Sequence, residues 1–217
     1  MSNSYYTEVS NGYYTEVGVA AAKDPREFIA QHESGHAVVR WALGQPFLKV
    51  ALDDPPCPMV VPLPGAVISS GPAMITAVAG GAAEMQLRGL VIRGSQIVTL
   101  LAGNGDERFE LTDAVTGEVV VAPSRAMPVS PGGDLHYMAT RAARDCWPSS
   151  LYIGFYRDAE GFTAACRPAI DAVATVLAER GELTYAEVAE LATAAMEGNP
   201  APVVPSWAQA EVLSSPH

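Results

Sequence analysis

Cysteine is scarce in this chain of 217 residues. There are three cysteines, an odd number, and no two of them have the Cys-x-x-Cys spacing of redox and zinc-binding motifs. A disulfide framework of the kind that stabilises small secreted domains is therefore excluded, and a reducing cytoplasm is the expected compartment. We expect the cysteines to be small buried hydrophobic residues rather than metal ligands. They are Cys57, Cys146 and Cys166.

Positive charge, long apolar runs and phosphate-binding loops are also lacking. The formal net charge of −11 disfavours nucleic acid and anionic membrane surfaces as partners, because like charges repel. No apolar run approaches the roughly 18–20 residues of a membrane-spanning helix, and we expect no secretory signal. Because no GxxxxGK[ST] motif occurs, nothing indicates an ATPase within this chain.

The motif that carries chemistry is His32-Glu33-Ser34-Gly35-His36. Two histidines four residues apart on an α-helix project from one face, so both imidazoles can reach one Zn²⁺ at about 2.0–2.1 Å. The glutamate beside the first histidine is not a ligand in this arrangement. It lies where it can take a proton from a water molecule that the metal activates. The spacing therefore predicts His32 and His36 as zinc ligands and Glu33 as a general base.

The flanking sequence predicts that this motif lies on a helix. Asp24 suits the N-cap position, Pro25 suits the first helical position, and Glu27 completes a capping box with Asp24. Gly44 and Pro46 end the helix. The alternative is a chance pattern that contains two ordinary histidines. A well-capped helix favours the metal site over that alternative.

A third ligand must come from another part of the chain. A catalytic zinc ion usually has three protein ligands and one open position. Only two other histidines exist, His136 and His217, and the second of these is the last residue. Carboxylates are therefore the main candidates, and the spacing of residues alone leaves the choice among them open.

Three blocks of the chain resemble the peptidase domain of the FtsH-type AAA+ zinc metalloproteases. Gln31–Val39 is close to the family's HEAGHA pattern, and Ala79–Glu84 is similar to its AGRAAE helix. Gly133-Asp134-Leu135, followed by Ala139 and then Ala142-Ala143-Arg144, resembles the family's NDLxxAT-x-x-AR helix. The resemblance covers about residues 25–196, and its first block is the most specific.

The resemblance implies that Asp134 is the third zinc ligand and that Glu33 is the base. Glu84 is the alternative ligand, since carboxylates on a neighbouring helix serve in other HExxH enzymes. Its other possible role is an outer or packing carboxylate. His136 is a weaker candidate, because on a helix it would point about 200° away from Asp134. The implied fold is mainly α, a zincin-like helical metallopeptidase domain with a small β component and an inserted hairpin.

The chain departs from the family pattern in three respects. Met138-Ala139 stands where the family has Ala-Thr, and the stretch between Glu84 and Asp134 is much longer than its equivalent. The family's ATPase module and membrane helices are also absent from this sequence. We therefore expect the chain to cut flexible peptides or unfolded polypeptides, or to depend on a separate ATPase partner.

The expected organisation is an N-terminal extension, a peptidase domain and a tail. Residues 1–22 contain Tyr-Tyr-Thr-Glu-Val twice and form either a small hairpin, which could pair with a strand edge, or a plain tail. The domain spans 23–197 with an insertion at about 94–130, and 198–217 is a tail. The expected elements before the third ligand block are a strand Phe47–Leu52, a loop Asp53–Gly65, a helix Pro72–Arg88 and a hairpin of Phe109–Thr112 and Glu118–Val121. A helix from Asp134 to before Pro148 follows, and then a helical region Asp158–Arg180, in which Pro168 marks a break, a first turn or a kink. A final helix opens with a Thr184–Glu187 capping box and ends near Met196.

The function that these features predict is a zinc-dependent endopeptidase. Glu33 would act as the general base, and an extended peptide would bind along a strand edge, for which Phe47–Leu52 is the candidate. Two alternatives stay open: a hydrolase dedicated to the maturation of one partner, and a zinc-binding regulatory module without turnover. The intact Glu33 disfavours the regulatory module, because loss of the base is the simplest way to lose activity.

Overall fold

A computed structural model describes residues 25–53, 59–65, 68, 70–87, 90–92, 109–113, 119–122, 134, 149–200 and 202. This part of the chain is mainly helical with two small three-stranded sheets, which confirms the prediction of a mainly α fold. The predicted extension at 1–22, most of the predicted tail and the predicted helix beyond Asp134 lie outside the described residues. The helices are α1 Pro25–Ala42, α2 Ser70–Leu87, α3 Ser149–Ala165, α4 Arg167–Arg180 and α5 Tyr185–Ala195. The strands are β1 Phe47–Ala51, β2 Met59–Pro62, β3 Leu90–Ile92, β4 Phe109–Asp113, β5 Val119–Ala122 and β6 Glu182–Thr184.

The helix α1 carries the His-Glu-x-x-His motif through the centre of the protein. Every residue from Ala30 to Val39 is buried, and α1 packs against α2, α4 and α5. The helix ends as predicted at Gly44, whose φ of 67° is a left-handed conformation that glycine adopts without strain. The Gly44 amide donates to the Trp41 carbonyl at 3.0 Å, which satisfies a carbonyl of the last turn.

The hydrophobic core lies between α1, α4 and the first sheet. Ile170, Val173 and Leu177 are buried at helical spacing along α4, so one apolar face of α4 is turned inward. Phe47 and Val50 of β1 belong to the same core. This packing fixes α1 against α4 and the first sheet.

The helix α2 is buried on nearly all sides. Every residue from Pro72 to Gly80 is buried, and α2 packs against both α1 and α3. Its single charged residue, Glu84, is also buried, and a buried carboxylate is costly unless it is hydrogen-bonded or lies near positive charge. No helix in the described part of the chain combines the length and apolar character needed to cross a lipid bilayer.

The strand β1 is the central strand of the first sheet. The strand order is β2-β1-β6, and both neighbours pair with β1 in antiparallel fashion. The expectation that Phe47–Leu52 offers its edge to a peptide is therefore wrong, because strands on both sides already engage its backbone groups. The loop predicted for Asp53–Gly65 is wrong in part, since it contains β2. Val60 and Val61 favour an extended chain, and the surrounding prolines hid that signal.

The second sheet has the order β3-β4-β5. The predicted hairpin is confirmed, with Phe109 paired to Ala122 and Thr112 paired to Val119. The strand β3 follows α2 directly and adds a third strand by pairing with β4. The strands β4 and β5 belong to the expected insertion at about 94–130, which therefore contributes two of the three strands of this sheet.

The region predicted as helical, Asp158–Arg180, consists of two helices. The first, α3, begins earlier than predicted, at Ser149, and ends at Ala165. The next helix, α4, begins with Pro168 in its first turn, where the missing amide hydrogen costs no helical hydrogen bond. The predicted capping box of α5 is confirmed. The Thr184 amide donates to Glu187 Oε2 at 2.8 Å, and the Glu187 amide donates to Thr184 Oγ1 at 3.4 Å.

Replacing Ser34 by alanine should stabilise the protein. Ser34 is fully buried in α1, and its hydroxyl has no hydrogen-bond partner among the described residues. An unsatisfied buried hydroxyl is unfavourable, and alanine is the better helix former, so Ser34→Ala should raise the free energy of unfolding by about 1 kcal/mol. Thermal unfolding should then shift upward by about 2–4 °C.

Thr163→Val is the matched control for Ser34→Ala. Thr163 is also fully buried in a helix, but its hydroxyl donates to the Ala159 carbonyl at 2.8 Å, so its removal should give no such gain. A lower unfolding temperature for Ser34→Ala would contradict the prediction and would mean that the Ser34 hydroxyl is bonded.

Candidate metal centre

The two histidines of α1 present their Nε2 atoms to one point. His32 and His36 lie four residues apart, one above the other on the same helix face, and their Nε2 atoms are 3.1 Å apart. Their ring planes are nearly perpendicular, at 73°, with centroids 4.8 Å apart. Both side chains are almost completely removed from solvent. The helix alone therefore supplies two converging nitrogen atoms in a buried place.

Asp134 completes the group from a distant part of the chain. Its Oδ2 lies 3.3 Å from His32 Nε2 and 3.1 Å from His36 Nε2. Two ligand atoms that bind one tetrahedral zinc ion at about 2.0–2.1 Å are themselves separated by about 3.3 Å. The three separations therefore fit a single ion of that size. His32, His36 and Asp134 form a group that could hold a metal ion.

The opposite nitrogen of each imidazole is held by α2. His36 Nδ1 lies 2.7 Å from the Thr76 carbonyl oxygen, and because a carbonyl can only accept, Nδ1 carries the hydrogen and donates. His32 Nδ1 lies 3.4 Å from Glu84 Oε2. This contact is longer, and here a carboxylate oxygen faces the ring N–H. In the neutral rings the Nε2 atoms then present their lone pairs. Metal-binding histidines generally have outer partners of this kind.

The pKa values of the two histidines are raised and that of Asp134 is lowered. Burial lowers the pKa of His32, but the carboxylates of Asp134 and Glu84 outweigh burial, so the pKa lies well above its usual value. The pKa of His36 is raised in the same way, where Asp134 outweighs burial. Burial raises the pKa of Asp134, but the two imidazoles overcome this effect and hold it well below its usual value. Asp134 is therefore a carboxylate and attracts positive charge to the Nε2 atoms.

Glu33 is buried beside this group. Burial is the largest cause of its raised pKa, while the positive charge of His32 and His36 acts in the opposite direction. These mutual effects place the Glu33 carboxylate within electrostatic reach of both histidines and of Asp134. It is therefore a carboxylate of increased basicity next to a group that could hold a metal ion.

The sequence-predicted candidates separate in space. His32, His36 and Asp134 come together, with Glu33 alongside them. Glu84 approaches His32 from the Nδ1 side, away from the point where the Nε2 atoms converge, so its position is that of an outer partner. His136 and His217 lie outside the described residues. The Thr76 carbonyl had no signal in the sequence, because every residue type carries such a group.

A polar network holds α1, α2 and α4 together next to the histidines. The Arg167 guanidinium donates to the Ala83 carbonyl at 3.2 Å and to Gln31 Oε1 at 3.1 Å. Asp171 accepts from Gln31 Nε2 at 3.0 Å and forms an ion pair with Arg167 at 2.6 Å. Because Gln31 directly precedes His32, this network fixes the position of α1 at the residue that carries the first imidazole. Sequence reasoning missed it, since its members lie on three helices.

The helices α1 and α2 approach each other closely at Gly35. A Cβ atom at this position would lie 2.7 Å from the Ala79 carbonyl oxygen and 2.7 Å from Ala83 Cβ, closer than side chains pack. The small residues of the Ala79–Glu84 block therefore bring the α2 backbone to within reach of both imidazoles.

Comparison with known proteins adds nothing to the geometry of the site. No protein-family model matches this chain, and no curated protein matches its sequence.

Proposed function

We propose that this protein is a zinc-dependent peptidase with a zincin-like active site similar to that of the FtsH-type peptidases. One observation carries the proposal. Two imidazole nitrogens and a carboxylate oxygen converge within 3.3 Å of one another in a buried place, next to Glu33. His32, His36 and Asp134 would hold the ion. Three protein ligands leave one position open, which is typical of catalytic zinc sites.

The donor set and its neighbour support zinc as the metal. Two histidines and one carboxylate suit zinc, although the same set also serves ferrous iron in oxygenases. A buried carboxylate next to the histidines is what a hydrolytic zinc site needs, because the attacking water must lose a proton. Glu33 meets this requirement, so zinc is the metal that we propose.

Each polar group of the site has a separate role in the proposed reaction. Bound zinc supplies Lewis-acid chemistry, since it lowers the pKa of a water molecule to about 7 and polarises a carbonyl group. The Glu33 carboxylate takes a proton from the attacking water and passes it to the amine nitrogen of the departing peptide. Burial raises the pKa of the Glu33 carboxyl, which is the direction that a proton acceptor requires. Glu84 and the Thr76 carbonyl hold the two imidazoles in orientation.

The substrate that we propose is a flexible or unfolded polypeptide. His32, Glu33 and His36 are each less than 10% exposed: the values are 3%, 4% and 7%. A peptide bond within a rigid folded surface does not reach groups that lie so deep. A mobile segment or an unfolded chain can place a single extended stretch beside them. A separate ATPase that unfolds substrates stays a prediction.

Asp134→Ala should weaken zinc binding far more than Glu84→Ala. Asp134 would lose a direct bond to the metal, whereas loss of an outer partner costs about 10–100-fold in affinity. Metal analysis of the purified wild-type protein should give about one zinc per chain, and competition with a chromophoric chelator should rank the variants. If Glu84→Ala were the more severe change, Glu84 would take the role of third ligand. Stoichiometric iron in place of zinc would contradict the proposed metal.

Glu33→Gln should keep zinc and the fold but lower peptide hydrolysis by about 100-fold or more, because an amide cannot accept the proton. The assay is cleavage of an unfolded casein-type substrate, with and without chelator. Glu27→Gln is the matched control, since Glu27 lies on the exposed side of the same helix and its change should leave the rate unaltered. Full activity in Glu33→Gln would remove the proposed base. A zinc-loaded wild-type protein without activity on casein would favour a dedicated partner or a regulatory module.

A further inference from the structure

Gly80 on α2 faces the two metal-binding nitrogens. A Cβ atom on its backbone would lie no more than 2.7 Å from His32 Nε2 and from His36 Nε2, and 2.7 Å from His32 Cδ2. Side-chain carbon atoms essentially never come within 3.0 Å of such neighbours. A methyl group at position 80 would thus overlap the His32 ring at its Nε2–Cδ2 bond and the Nε2 atom of His36. Both rings would have to leave the positions in which their Nε2 atoms converge.

The neighbouring Gly81 is in the opposite situation. It belongs to the same helix and the same pair of glycines, but a Cβ atom on its backbone would meet no atom within 4 Å. Within this pair, the requirement for glycine is therefore specific to position 80. It does not follow from the general need for small residues where two helices pack.

The α2 backbone is bonded to His36 and packed against α1 on both sides of Gly80. Four residues before Gly80, the Thr76 carbonyl accepts a hydrogen bond from His36 Nδ1 at 2.7 Å. On either side of Gly80, Ala79 and Ala83 lie directly against Gly35 of α1. A side chain at position 80 would therefore either displace the imidazoles or move α2 and break the hydrogen bond that orients His36.

We propose that Gly80 is a positioning residue: the absence of a side chain at this position allows His32 and His36 to bring their Nε2 atoms together around a metal ion. This inference rests on the metal site of the proposed function. A single methyl group at position 80 displaces the imidazole rings, whereas a methyl group at position 81 leaves them in place.

The test compares Gly80→Ala with Gly81→Ala in the full chain. Gly80→Ala should weaken zinc affinity by about 100-fold or more, as severe as the loss of an outer-shell partner or worse. Gly81→Ala should bind zinc like the wild type, and its thermal unfolding should shift upward by about 2–4 °C, because alanine favours a helix over glycine. Chelator competition and calorimetry on the apo and zinc-loaded proteins measure both effects. Equal zinc affinity in the wild type and Gly80→Ala would overturn the inference.

A second comparison covers the case in which Gly80→Ala folds poorly. The same change is made in a chain that already carries His32→Ala and His36→Ala, where the imidazoles that a methyl group would meet are gone. There Gly80→Ala should raise the unfolding temperature, as Gly81→Ala does, whereas in the histidine-bearing apo chain it should lower it. The same effect in both backgrounds would overturn the inference, because the cost would then arise elsewhere.

The outcomes separate this inference from the proposed function. A wild-type protein that binds zinc but does not cut peptides would contradict the peptidase and leave the role of Gly80 intact. Zinc-dependent peptidase activity that survives in Gly80→Ala would contradict the role of Gly80 and leave the peptidase intact. A wild-type protein that binds no zinc would overturn both.

Discussion

The close contact between α1 and α2 is the constraint on which the site depends. At Gly35 the two helices leave no room for a side chain, since the Ala79 carbonyl and Ala83 already occupy the space. This approach brings the Thr76 carbonyl and the Glu84 carboxylate to the outer nitrogens of the two imidazoles. If the helices moved apart by the width of a methyl group, the two imidazoles would lose their orientation although His32 and His36 themselves were unchanged.

Ionisable side chains are concentrated around α1 near its contact with α2. Glu33, Glu84 and Asp134 place three carboxylates around two imidazoles in a largely buried volume. Charges of one sign are not tolerated in such a place without compensation. In the absence of a metal, protons supply the compensation, which is why the pKa values of His32 and His36 are raised while that of Asp134 is lowered. A divalent cation would replace those protons, so metal and protons compete for the same place.

The parts of the structure that the sequence could predict are those whose cause is local. The histidine spacing, the end of α1 at Gly44 and the Thr184–Glu187 capping box all depend on residues within one turn of each other. The hairpin of β4 and β5 is likewise a local structure. Each was predicted from a few neighbouring residues because no distant part of the chain decides it.

The parts that could not be predicted depend on contacts across the chain. The strand β1 read as an edge because its partner β6 lies about 130 residues further on, where Leu183 pairs with Val50. Which nitrogen of His32 faces Glu84 depends on how α2 lies on α1, and periodicity carries no information about that. Asp134 was indicated by family resemblance and not by spacing, since nothing in the separation of two distant segments indicates that they meet.

The distance along the chain between the candidate ligands has a consequence for folding. Asp134 and His36 are 98 residues apart in sequence, so a metal ion held by both joins the ends of a loop of that length. In chain-entropy terms such a link acts as a disulfide would, and closing a loop of about 100 residues removes roughly 4–5 kcal/mol of unfolded-state freedom. The ion would then serve as a reversible cross-link between the first helix and the segment that carries Asp134. A chain with only three cysteines would gain from its metal centre the kind of tether that secreted proteins obtain from disulfide bonds.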